Sequence, residues 1–128
     1  MAQRYSDAVA ADGPLVFVSG QLPLDSDGLV ADGDAQTQLR QVFRNIDTAL
    51  AKHGADARHL VKLTYYVRHM ADLDDLRRVV EEYLVHEPRP ASTLVEVSGL
   101  VDPRFLVEAD AVACVPRGDE QAGRGKPA

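Results

Sequence analysis

Two carboxylates, Glu108 and Asp110, stand two residues apart in the run Leu106-Val107-Glu108-Ala109-Asp110-Ala111-Val112. If that run is a strand, both project from one face, because strand side chains alternate. Acids held close can raise one pKa and form a donor and acceptor pair suited to hydrolysis. Alternation also gathers acids on any exposed strand face without chemistry, so spacing alone leaves both readings open. The other reactive residue types are less well placed. Ser92-Thr93 has no glycine-flanked elbow and no histidine assigned to activate it, so its hydroxyls read as hydrogen-bonding groups for a ligand or the loop backbone. His53, His59, His69 and His86 fall at helix ends or loops with no pair at metal-ligand spacing, and no metal is expected. Cys114, the one cysteine, excludes an intrachain disulfide and reads as core filler closing an apolar strand pattern.

The elements that must position these groups can be read from the apolar pattern. Residues 15–19 form a short apolar run closed by Gly20, which predicts a strand buried on both faces. Residues 21–33, with Pro23, Asp25, Gly28 and Gly33, predict a loop or irregular hairpin. From Asp34 the period becomes helical: Leu39, Val42, Phe43, Ile46 and Leu50 share a face, Asp34 reads as the N-cap and Gly54 as the stop. Val61, Leu63, Tyr65 and Val67 alternate with Lys62, Thr64, Tyr66 and Arg68, a strand that places one of Tyr65 and Tyr66 in the core and the other at the surface or an interface. Asp72 reads as the cap of a second helix with Leu73, Leu76, Val80, Tyr83 and Leu84 on one stripe, ended by Pro88. Strands at 93–97 and 105–115 complete the set.

This order predicts a two-layer α+β domain over residues 1–115, with both long helices on one face of a mixed sheet. Residues 116–128 are polar and glycine-rich and read as a disordered tail. The bare sheet face, with apolar side chains at 15–18 and 94–97, predicts oligomerisation.

With 128 residues and 45% hydrophobic content, the chain supports one domain and no second core. Its formal charge of −6 disfavours a nucleic-acid partner. Arg58, Lys62, Arg68, Arg77 and Arg78 interleave with Asp72, Asp74, Asp75, Glu81 and Glu82, which reads as a solvated mixed-charge surface. No apolar run reaches the roughly 18 residues of a membrane span, and the amino terminus lacks a secretory pattern, so a cytoplasmic protein without a membrane partner is expected.

The chain also resembles a known family. Tyr5-Ser6-Asp7-Ala8-Val9, Leu15-Val16-Phe17-Val18-Ser19-Gly20-Gln21-Leu22-Pro23-Leu24-Asp25, Gln41-Val42-Phe43-Arg44-Asn45-Ile46, Val61-Lys62-Leu63-Thr64-Tyr65-Tyr66-Val67, Glu87-Pro88-Arg89-Pro90-Ala91, Val95-Glu96-Val97 and the run around Glu108 follow the order and spacing of the reactive intermediate deaminase (Rid, or YjgF-like) family. The resemblance implies a chorismate-mutase-like protomer, a homotrimer with small-molecule ligand clefts between subunits, and no cofactor. It implies hydrolysis of 2-imino or 2-enamino acids to 2-keto acids and ammonia. Some relatives are described as ribonucleases, a chemistry this charge pattern does not support.

Position by position, Glu108 matches the family's water-positioning glutamate, Tyr5 the aromatic near the cleft, and Gly20 the strand-end glycine. Leu94 matches the position whose backbone amide helps bind the substrate carboxylate, and Thr93 lies beside it. Ser92 stands where the family has an arginine that forks onto that carboxylate. A neutral hydroxyl in place of a guanidinium forfeits roughly 1.5 to 3 kcal/mol, about tenfold to a hundredfold in affinity. The substitution therefore predicts weakened turnover of small 2-imino acids. Two readings follow: a hydrolase of a small imine, enamine or related metabolite, or a non-catalytic trimer that binds a small ligand or regulates a partner. Arg89 and Arg104 are the alternative arginines considered, and both read as solvent-exposed loop residues.

Overall fold

The computed structural model describes residues 4–117, so the segment 118–128 of the expected disordered tail lies outside the described residues. The chain runs β1 (Leu15–Gln21), α1 (Ala35–Ala51), β2 (Leu60–Val67), α2 (Leu73–Tyr83), β3 (Ala91–Glu96) and β4 (Val107–Cys114). The strands form one sheet in the order β1-β4-β2-β3, with β2 and β3 parallel and the other pairs antiparallel. This is the predicted α+β arrangement, a mixed sheet with two helices. Among the described residues no helix is long and apolar enough to cross a membrane.

The sequence signals of α1 act as expected. Asp34 is extended (φ −90°, ψ −177°), and its carboxylate accepts the Thr37 N–H at 3.0 Å. Gly54 adopts φ +71°, a conformation that disfavours a β-carbon, and its N–H reaches the Ala51 carbonyl at 3.2 Å. Between them Leu39, Val42, Ile46 and Leu50 are fully buried against the sheet. β4 meets that face with Ala109, Ala111 and Ala113, whose small side chains let helix and strand approach closely. Phe43 stacks on Tyr83 with ring centroids 3.9 Å apart and meets Tyr65 edge-to-face at 6.3 Å, which fixes the Tyr65 ring in the core.

Two local expectations need correction. Asp72 holds the N-cap position of α2 but makes no side-chain capping bond. A 3-10 turn, Met70–Asp72, runs straight into the helix, so Asp72 (φ −83°, ψ −1°) lacks the extended backbone that folds a cap onto the first free N–H groups. β1 is covered on one face only. Val18 is buried under the helices, while Phe17 is 74% exposed and Leu15 is also exposed. The face away from the helices stays open in the protomer, with Phe17, Val112, Tyr66 and Val95 on it by register.

Ile46→Ala should lower unfolding free energy by about 2–5 kcal/mol in urea titration, because the fully enclosed site cannot collapse around the void. Asp34→Ala should cost only about 1 kcal/mol by the same measurement.

Candidate functional site

Strand alternation divides the predicted site residues between the two faces of the sheet. Glu108 pairs with Tyr66 and Asp110 with Thr64, and all four side chains belong to the open face. Burial, and after it the Asp110 charge, raises the Glu108 pKa above the ordinary carboxylate value. Asp110 accepts a hydrogen bond from the Tyr66 hydroxyl at 2.8 Å, which holds the phenol protonated. Asp110 is thus occupied by Tyr66.

Gly20 shapes the Glu108 side chain's surroundings. The β1–β4 register shifts between Val18 and Gln21, and this irregularity brings Gly20 beside Glu108. A methyl group on Gly20 would overlap the Glu108 carboxylate, so close approach rather than backbone conformation requires glycine. The stretch leading into β4 is clamped from α1: the buried Gln38 amide donates to the Arg104 carbonyl at 2.9 Å and accepts the Leu106 N–H at 2.7 Å. Arg104 itself forks onto Asp102 at 2.8 and 3.0 Å, and this pairing pulls the Asp102 carboxyl down to about 2.

Tyr5, Ser92 and Leu94 gather elsewhere, around a cavity of about 700 Å³ bounded by α2, β2, β3 and the segment at Arg4 and Tyr5. Ser6 lays that segment along β3, its N–H on the Pro90 carbonyl at 3.1 Å and its hydroxyl on the Arg89 carbonyl. In the parallel β2–β3 register Ser92 lies beside Leu63 and Leu94 beside Tyr65, both helix-side residues. Thr93, one residue on, faces the open side and accepts the Lys62 ammonium at 2.7 Å. The predicted substrate-binding trio is therefore split, with Ser92 and Leu94 on one face and Thr93 on the other. Glu108 and Gly20 lie across the sheet from Ser92.

The arginines fall differently from the sequence reading. Arg89, expected in solvent, has a side chain only 15% exposed and held by Glu87 at 3.3 Å and Glu81 at 3.7 Å. Neither Arg89 nor Arg104 lines the Ser92 cavity, whereas Arg4 and Arg77 do. Sequence reasoning placed Arg77 on a solvated surface and overlooked a legible signal. It follows Leu73 by four residues and precedes Val80 by three, so it interrupts the apolar stripe of α2. Of the Tyr65 and Tyr66 pair, Tyr65 is the core member; its buried hydroxyl has no hydrogen-bond partner among the described residues, and the residue lines the same cavity. Among the described residues no cluster of side chains could hold a metal ion.

Comparison with known proteins places these features in context. The family model described as endoribonuclease L-PSP matches residues 1–115. A RutC family protein of Pyrococcus horikoshii is 37% identical over 110 residues, covering 85% of this chain and 85% of that protein. The 3-aminoacrylate deaminase RutC of Acinetobacter baylyi is 38% identical over 112 residues, 87% of this chain and 86% of that one. Among solved structures, the Rid family protein of unknown function YyfB from Yersinia pestis superposes with a TM-score of 0.78 at 28% identity, covering 87% of this chain and 86% of its own.

Gly20→Ala should leave the fold intact, since the overlap falls on the mobile end of a side chain. The displaced Glu108 carboxylate should then titrate closer to the ordinary glutamate value of about 4.3, as followed by carboxyl NMR.

Proposed function

The chain belongs to the endoribonuclease L-PSP family, which includes the Rid and RutC proteins, and from that membership we propose that it is a hydrolase of a small reactive imine or enamine. The observation that carries the reading is Glu108, a half-buried carboxylate of raised pKa at the position matching the family's water-positioning glutamate. An enamine first takes a proton on carbon and gives up one from nitrogen to become the imine. Glu108 then removes a proton from water as the oxygen adds to the imine carbon and delivers it to nitrogen, giving an amino alcohol; the remaining hydroxyl proton passes to nitrogen through the same carboxylate as the C–N bond breaks, so that ammonia leaves and the carbonyl forms. No cofactor is needed for this balance.

Face assignment supports the expected homotrimer with clefts between subunits. Glu108 with Gly20, and Tyr5 with Ser92 and Leu94, lie on opposite faces of one sheet, so a single protomer cannot aim both groups at one ligand. A neighbouring copy whose open face meets this cavity brings them together and also covers Phe17. A small molecule in such clefts, and not a nucleic acid, suits the net charge of −6. Ser92 at the arginine's position favours the second reading, a trimer that binds a small ligand without turnover.

Ammonia release from imines generated in place separates the two. The hydrolase requires wild-type turnover that Glu108→Gln abolishes; saturable binding without product at any substrate would establish the second reading instead. The rate should rise with pH through the elevated Glu108 pKa, because the base must be ionised to take the proton. Stability follows the opposite sense. A folded-state pKa above the unfolded value makes ionised Glu108 unfavourable to the fold, so Glu108→Gln should melt higher than wild type at pH 7. That gain should fade below the ordinary glutamate value of about 4.3.

A further inference from the structure

We propose that Asp110 is the nitrogen-binding residue of the Glu108 site: it accepts an N–H from the substrate imine while Glu108 works on water at the adjoining carbon. Asp110 in this role presupposes the hydrolase reading and adds the group that tells substrate from product. Glu108 and Asp110 share the open face of β4 two residues apart, and so stand about 6.6 Å apart along the strand. That gap admits one planar C=N group, its nitrogen about 2.8 Å from an Asp110 oxygen and its carbon toward Glu108. Gly20, without a β-carbon, leaves room for the Glu108 carboxylate on the β1 side, and Tyr66 walls the gap on the β2 side.

Neither carboxylate meets a cation. Among the described residues the Glu108 side chain has no hydrogen bond or ion pair, and the Asp110 side chain has one hydrogen bond, from the Tyr66 hydroxyl to Oδ2 at 2.8 Å. A carboxylate accepts at both oxygens, so this bond fixes the Asp110 group and leaves Oδ1 for a ligand. The cations that β2 places on the open face are directed elsewhere: the Lys62 ammonium is bonded to Thr93, and Arg68 lies beyond Tyr66 on the side away from Asp110. The Tyr66 phenol is held protonated first by its bond to Asp110, then by burial, then by the charges of Asp110 and Glu108, so both carboxylate fields meet at one point. Serine at 92 keeps the pair unneutralised, because that position brings no guanidinium to it when a neighbouring copy closes the cleft.

Two acids without a cation favour an N–H donor and disfavour an oxygen. The imine nitrogen already carries a proton and gains others as water adds and the C–N bond breaks, so positive charge builds beside Asp110, where a fixed carboxylate stabilises it. Asp110 itself neither takes nor gives a proton, since those of the water pass through Glu108 to nitrogen. The product carbonyl has no N–H, and its oxygen faces a carboxylate in place of a donor. One group thus binds the substrate and rejects the product.

Calorimetric titration of the full chain with butyramidinium, butyramide and butyrate, which share one shape and differ in charge, tests this. Wild type should bind the amidinium most tightly and butyrate least. Asp110→Asn, which keeps an oxygen for Tyr66, should weaken the amidinium about tenfold or more. It should also lower kcat/KM for ammonia release by a similar factor, yet strengthen inhibition by the carbonyl product, because the Asn amide can donate to that oxygen. Tyr66→Phe should weaken the amidinium by a smaller factor, since it loosens the Asp110 carboxylate without removing it. Butyrate binding as tight as the amidinium in wild type, or amidinium binding unaltered in Asp110→Asn, overturns the proposal. So does product inhibition that weakens in step with amidinium binding, the mark of a merely structural role. The hydrolase reading is judged separately by Glu108→Gln in the ammonia assay. If that variant loses turnover while Asp110→Asn keeps wild-type amidinium binding and kcat/KM, only the Asp110 assignment falls. Amidinium binding that depends on Asp110, without ammonia release from any imine by wild type, keeps the nitrogen subsite and removes the hydrolase reading.

Discussion

Period-two alternation in a sheet covered on one side governs this molecule. On β4 it sends Ala109, Ala111 and Ala113 under α1 and leaves Glu108, Asp110 and Val112 on the bare face. On β3 it sends Ser92 and Leu94 toward α2 and Thr93 away. Each candidate side chain carried by β3 or β4 is assigned a side by this parity, and a one-residue slip would exchange the two sets. Helix packing enforces the register, since Glu108 cannot enter a space filled by Leu39, Val42 and Ile46 without leaving its charge unsolvated.

Much of the architecture was legible in local chemistry. Asp34 and Gly54 bound α1 because capping and positive φ are one-residue properties that depend little on distant contacts. Asp72 shows the limit of that logic: the residue type suits a cap, but the preceding turn fixes its backbone in the wrong region. The run at 15–18 was read as covered on both faces because apolar composition cannot say which cover lies within the chain. Phe17 reports that one of the two does not.

The candidate residues could be named from the sequence, but their arrangement could not. Glu108, Gly20, Tyr5, Ser92 and Leu94 could be matched by position, but a match carries no face. Parallel β2–β3 pairing was needed to put Ser92 in the cavity with Tyr65 and Arg77. Arg77 was hidden by its neighbour Arg78, which pairs with Asp75 at 3.5 Å and suits a solvated surface. Two adjacent arginines on a helix point about 100° apart, so one can be solvated while the other joins the apolar stripe.

The Gln38 clamp has a mechanical corollary. One primary amide both gives and takes a bond on the Arg104–Leu106 backbone, a reciprocity that neither glutamate nor any aliphatic residue reproduces. The buried helix and the approach to Glu108 are thereby coupled as one stiff body. The Asn45 amide does the same on the other side, donating to the Leu22 and Leu24 carbonyls, so the chain that leaves β1 just after Gly20 and the chain that enters β4 just before Glu108 are both anchored to one helix.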